Sequence, residues 1–171
     1  MSKRALVEDV WPHGNRTLQE SAEYEEDFVA MHQKAGKALF DALKKSGAEA
    51  RYFGSDFWAS SFSAGNGGFQ ISVGGQYAPG SDMYQFSISA LVPMGGYKRD
   101  YAMAIDELQR ALRAQGNAFR KYGKLQYFGE MDRATKLWLE LRPDQVEKFM
   151  KDAPRLTPKV GKAFGEILKD L

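Results

Sequence analysis

Residues 67–93 read GGFQISVGGQYAPGSDMYQFSISALVP. Phe69, Ile71 and Val73 alternate with Gln70, Ser72 and Gly74. Beyond Pro79-Gly80-Ser81-Asp82, Tyr84, Phe86, Ile88, Ala90 and Val92 alternate with Gln85, Ser87 and Ser89. A period of two predicts antiparallel strands over 69–77 and 83–93, each with one apolar and one polar row. The polar rows hold Ser, Gln and Gly but no Lys or Glu. Within residues 48–97 the only charges are Glu49, Arg51, Asp56 and Asp82, in a chain that is 27% charged. A sheet face open to water is usually dressed with Lys and Glu, which keep it soluble and stop edge pairing. A face of Ser, Gln and Gly therefore predicts a covered surface, under the chain's own elements or under a partner.

Reading outward, Asn66-Gly67-Gly68 predicts a hairpin turn before the first of these strands. Upstream of it, AEARYFGSDFWASSFS (48–63) reads as one aromatic-rich strand, with Gly54 as a bend or bulge. Residues 17–46 read as a helix. Thr17 and Glu20 form a capping box, and Phe28, Met31, Ala35, Leu39 and Ala42 repeat at three to four residues. Downstream, residues 98–114 predict a second helix with Tyr101, Ile105, Leu108 and Leu112 in its core stripe. Strands follow at 124–130 and 135–142, the latter with Leu137, Leu139 and Leu141 facing in. Pro143 suits the first position of a helix. Pro154 is expected to break that helix, and Thr157-Pro158 to cap a separate last one. The order α-β-β-β-α-β-β-α, with an antiparallel sheet of about five strands and helices packed on one face, makes the chain α+β. One domain is expected over 1–171, with 1–16 an irregular N-terminal segment and 155–171 an extra C-terminal helix.

Composition narrows the function classes. The chain has no cysteine, so disulfides and thiolate chemistry are excluded and a reducing compartment is consistent. The N-terminus MSKRALVEDVWPHGN lacks the apolar run of a secretory signal, and nothing approaches the ~18 apolar residues of a membrane span. The expectation is a soluble, cytoplasmic protein without membrane partners. His13 and His32 lie far apart with no metal-ligand spacing, so no metal or other cofactor is expected. No serine sits in a GxSxG elbow, and the glycines lack a phosphate-loop context, so no catalytic residue is assigned. Asp56, among Phe53, Phe57 and Trp58, is the one acid whose surroundings could be apolar enough to perturb it.

Two binding readings remain. In the first, Gln70, Ser72, Gln85, Ser87 and Ser89 form a protein interface, since depletion of charge marks interface cores. The alternative is that this face lies under a helix of the same chain. In the second, the stretch RALRAQGNAFRKYGKLQYF supplies Arg110, Arg113, Arg120, Lys121 and Lys124 for phosphates, with Phe119 and Tyr122 stacking on bases. A solvated helix end explains the same basic residues. Net charge runs from −1 over residues 1–47 to +5 over 98–171, a mild asymmetry for a nucleic-acid binder.

The meander 67–93, the helix YAMAIDELQRALRAQGN (101–117) and the tail TKLWLELRPDQVEKFMKDA (135–153) together resemble class I type III secretion chaperones and YbjN-like proteins in element order and hydrophobic spacing. The resemblance covers about residues 17–153. It implies a homodimer without catalysis that holds an extended segment of another protein, a client or target. Chaperone, adaptor or inhibitor is then the expected role.

Overall fold

A computed structural model describes residues 18–56, 59–78, 83–93, 99–130 and 133–171. The elements in chain order are α1 (Leu18–Lys45), β1 (Ala50–Ser55), β2 (Ala59–Ala64), β3 (Phe69–Ala78) and β4 (Met83–Leu91). There follow α2 (Arg99–Gly116), a 3-10 turn (Asn117–Phe119), β5 (Lys124–Glu130), β6 (Ala134–Leu141) and α3 (Pro143–Leu168). The protein is α+β. Its six strands form one sheet in the order β1-β2-β3-β4-β6-β5, every pairing antiparallel. Among the described residues no helix is long and apolar enough to cross a membrane. The capping box at Thr17, the segment 1–16 with His13 and the turn 79–82 lie outside the described residues.

The strand expected over 48–63 is two strands. Asp56 makes the reversal: its backbone N–H donates to the Ala59 carbonyl at 3.0 Å, and its carboxylate accepts from the Ala59 N–H at 2.8 Å. An Asx-type turn of this kind needs only one Asp, so a run of aromatics around it hides the corner. The bulge is real, because pairing slips between Tyr52 and Gly54, where φ is +102°. The next corner is a tight one. Gly65, Asn66 and Gly67 have φ of +62°, +58° and +82°, and the Gly68 N–H donates to the Gly65 carbonyl at 3.1 Å. Asn and Gly enter that left-handed region at least cost.

One face of the sheet carries the core. Phe62, Ala64, Ile71, Val73, Phe86, Ile88, Leu137, Leu139 and Leu141 are all fully buried. Helix α1 covers β1 to β3, while α2 and the start of α3 cover β4 and β6. Aromatic edges lock each half. Phe28 meets Tyr84 and Phe40 meets Phe62 under α1, while Phe149 meets Phe86 under α3. Gly75 exists because Phe28 lies on it: a Cβ there would sit 2.8 Å from that ring.

Helix α3 is continuous through Pro154 and Pro158, so the expected break is absent. A proline inside a helix removes one hydrogen bond and crowds the preceding turn, at about 3 kcal/mol. Packing against α1 outweighs that loss. The Thr157 hydroxyl donates to the Ala35 carbonyl at 2.6 Å. Gly161 lies under the Leu39 carbonyl and Gly165 under the Leu43 carbonyl. The three pairs share one sequence offset, so α1 and α3 run parallel with their backbones in close approach. The two prolines are four residues apart, hence on one stripe of the helix, and both are only partly buried. The helix opens with Pro143, while the Gln145 side chain accepts from the Arg142 N–H at 2.9 Å.

Candidate functional site: the open sheet face

With three helices on one side, the opposite face is left uncovered by any described element. The register lays out its side chains in rows. One row runs Ser61, Ser72, Ser89, Lys136, Phe128; the next runs Ala59, Gly74, Ser87, Trp138, Gln126; a third runs Gln76, Gln85, Glu140, Lys124. The face therefore divides by size. On β2, β3 and β4 its middle carries only Ser, Ala and Gly. On β6 and β5 it carries Lys136, Trp138, Gln126 and Phe128. The step between the halves makes a shallow trench, with Ser72, Gly74, Ser87 and Ser89 as floor and Trp138 and Lys136 as wall. Its far end is closed by Gln76, whose amide donates to the Gln85 side-chain carbonyl.

The floor is quiet. The Ser61 and Ser72 hydroxyls share a hydrogen bond of 3.1 Å, the kind of local pairing that lets Ser stand in a sheet without charge. The wall is held by a cation–π contact: the Lys136 ammonium lies 4.6 Å from the centre of the Trp138 ring. Partial burial against that ring costs the ammonium hydration, so its pKa falls below the ordinary lysine value. Phe128, on the adjoining strand, is 51% exposed, and Phe53 on β1 is 63% exposed with the Arg51 guanidinium over its ring. An open face whose large apolar side chains are aromatic and whose β2–β4 half is uncharged can desolvate that half at little electrostatic cost.

The structure brings Gln70, Ser72, Gln85, Ser87 and Ser89 together on this one face, as the alternation predicts. Sequence reasoning did not assign Trp138, Lys136 and Phe128 to it. The alternation of β6 held the clue: if Leu137, Leu139 and Leu141 point in, Lys136 and Trp138 must point out.

The nucleic-acid candidates divide. Phe119 is fully buried and Tyr122 is 4% exposed. Phe119 stacks on Phe86, and Tyr122 sits edge-on to Phe149 with its hydroxyl donating to Asp152 at 2.6 Å. Neither ring can reach a base, which corrects the expectation that they stack on bases. The apolar part of that segment is core, anchoring the crossover from α2 to β5. Arg110, Arg113, Arg120, Lys121 and Lys124 are exposed. Arg110 is paired with Asp106 one helical turn away, and Arg113 lies 5.2 Å from the Tyr127 ring centre.

The catalytic candidates fare no better. Asp56 is exposed and occupied as a turn residue, which overturns the idea of an apolar setting. His32 is buried in α1 beneath the sheet, where its backbone carbonyl accepts from Ser60 at 3.5 Å. Among the described residues, no three His, Asp or Glu side chains gather as metal ligands would. Comparison with protein-family models, with curated proteins and with solved structures gives no match.

Proposed function

We propose that this chain is a non-catalytic protein-binding protein, of chaperone, adaptor or inhibitor type, that uses the open sheet face as its interface. The observation that carries this reading is the uncharged Ser/Gly/Gln trench beside Trp138, left bare by all three helices. The part of the face on β2, β3 and β4, which carries no Lys or Glu, is poorly protected in water, yet it costs little to desolvate against another protein surface. Trp is also the residue type that most often concentrates binding energy at interfaces. A polyanion reading keeps exposed cations but loses both stacking rings to the core.

The test is a comparison of co-purifying proteins. Tagged wild type and a Ser72→Lys/Ser87→Glu variant are purified in parallel, with bound proteins identified by mass spectrometry. Both changes point away from the core, so the variant keeps its melting temperature. Loss of a recurring bound chain, foreign or its own, is the expected result. An unchanged bound set in a folded variant would overturn the reading.

A further inference from the structure

The open face is self-complementary, and we infer that its occupant is a second copy of this chain, stacked sheet on sheet about a two-fold axis running along the strands between β4 and β6. This deepens the protein-binding reading and rests on it. The inference comes from how size and charge are distributed on the face.

A two-fold axis lying between two stacked sheets reverses the strand order of one over the other. Placed between β4 and β6, it sets β6 of each copy on β4 of the other, and β5 on β3. The rows then meet themselves reversed. Trp138 lies over Ser87 of the second copy, and Lys136 over Ser89 of the second copy. Further out, Gln126 lies over Gly74 and Phe128 over Ser72. In these two rows every large side chain of one half thus meets a small one of the other half, and the trench of each copy receives the other's tryptophan. Interdigitation of this kind fills the space of roughly 10 Å between stacked sheets.

Charge points the same way. In the rows described above, the charges are Lys136, Glu140 and Lys124, all on β6 and β5. The reversed pairing sets Lys136 over Ser89, Glu140 over Gln85 and Lys124 over Gln76, so no like charges are opposed. An axis along β6 would instead put Lys136 on Lys136, Glu140 on Glu140 and Trp138 on Trp138, opposing like charges at its centre. An axis at the geometric centre, between β3 and β4, would face small residues with small ones and enclose a void. Of these three axes, only the one between β4 and β6 satisfies both size and charge. An isologous contact of this form is the commonest way for identical chains to pair.

The overlap of four strands spans about 19 Å by about 27 Å, hence about 500 Å² per copy and about 1,000 Å² in total. That is the lower edge of specific interfaces, so the dimer forms in a concentration-dependent way.

The experiment is size-exclusion chromatography with light scattering on the purified full chain, from about 1 µM to about 1 mM, which spans weak to moderate association. Wild type should pass from monomer to dimer across that range. Trp138→Ser leaves two holes and Ser87→Trp two knobs; each should weaken the dimer at least tenfold. The exchanged double variant Ser87→Trp/Trp138→Ser moves the knob to β4 and the hole to β6, and should restore dimerisation to within a few-fold of wild type. Circular dichroism melts confirm that each variant is folded. A dimer indifferent to all three variants uses another surface and overturns the inference. A wild type that stays monomeric when alone, yet loses a foreign partner in the Ser72→Lys/Ser87→Glu variant, overturns the second copy but keeps the protein-binding reading. A monomer that loses nothing overturns both.

Discussion

Gly161 shows how much one hydrogen atom decides in this chain. An added Cβ would stand 2.2 Å from the Leu39 carbonyl oxygen, a backbone atom that cannot swing aside. Gly161→Ala must therefore push α3 off α1. The expected loss is about 1–3 kcal/mol in urea unfolding, the usual cost of overpacking. Arg110→Ala is a fitting control, because its ion pair with Asp106 is exposed and should change stability by less than about 0.5 kcal/mol. Tyr122 makes a second case at this scale. Burial, reinforced by the hydrogen bond to Asp152, pushes its pKa from the ordinary 10 up to about 12. The folded state therefore holds that proton more tightly than the unfolded chain does. Its contribution to stability is complete below pH 10 and is lost as pH rises through 12. Ultraviolet titration of wild type should show a tyrosine ionising near pH 12 that Tyr122→Phe lacks. The urea midpoint of wild type should also fall more steeply than that of Tyr122→Phe over this window. At the acid end the sign reverses. Hydrogen bonds from Tyr122 and Arg155 hold the Asp152 carboxyl below its ordinary value, so that share of stability is present above the ordinary value and fades as pH falls through the lowered one.

At the scale of elements, the hydrophobic periods were legible and the corners were not. The leucines of β6 and the alternation of β3 and β4 identify buried rows because a strand has only two faces. The turn at Asp56 stayed hidden because its signal is one side chain accepting one N–H, with aromatics on both sides. Helix α3 stayed hidden for the opposite reason. A local rule about proline was correct about its cost, yet packing along α1 exceeded that cost, and nothing in residues 143–168 alone reveals that Gly161 and Gly165 lie under another helix's carbonyls. If proline is merely tolerated at 154, Pro154→Ala should restore the missing hydrogen bond and improve helix propensity. The gain expected is about 1–3 kcal/mol, less than the full interior penalty because the partly buried ring loses some contacts. A rise in the urea midpoint with an unchanged slope would show it. A fall would mean that the proline ring is needed in the packing.

Over the whole molecule, the site was half legible. Charge depletion identified a sheet face without a solvent's dressing, and no described element covers that face. The division of the face into a small half and a large half depends on the order β3-β4-β6-β5, which sets Trp138 beside Ser87 although 51 residues separate them in the chain. No local pattern encodes that neighbourhood. The same architecture bears on stability, since the described helices form a single layer and bury one face of the sheet as the core. Ser72 and Val73 are consecutive, and the pleat sends them to opposite sides. Val73 is fully buried under α1, so Val73→Lys forces an ammonium into an apolar core without a partner and should cost more than about 4 kcal/mol, enough to unfold much of the protein. Ser72→Lys places the same group on the open face, where it stays hydrated, and should shift stability by less than about 1 kcal/mol. Both are measured by urea unfolding at low micromolar protein, where association through the open face contributes little. Equal damage from the two substitutions would mean that the polar face is packed as tightly as the core, and that the sheet is covered on both sides within a single chain.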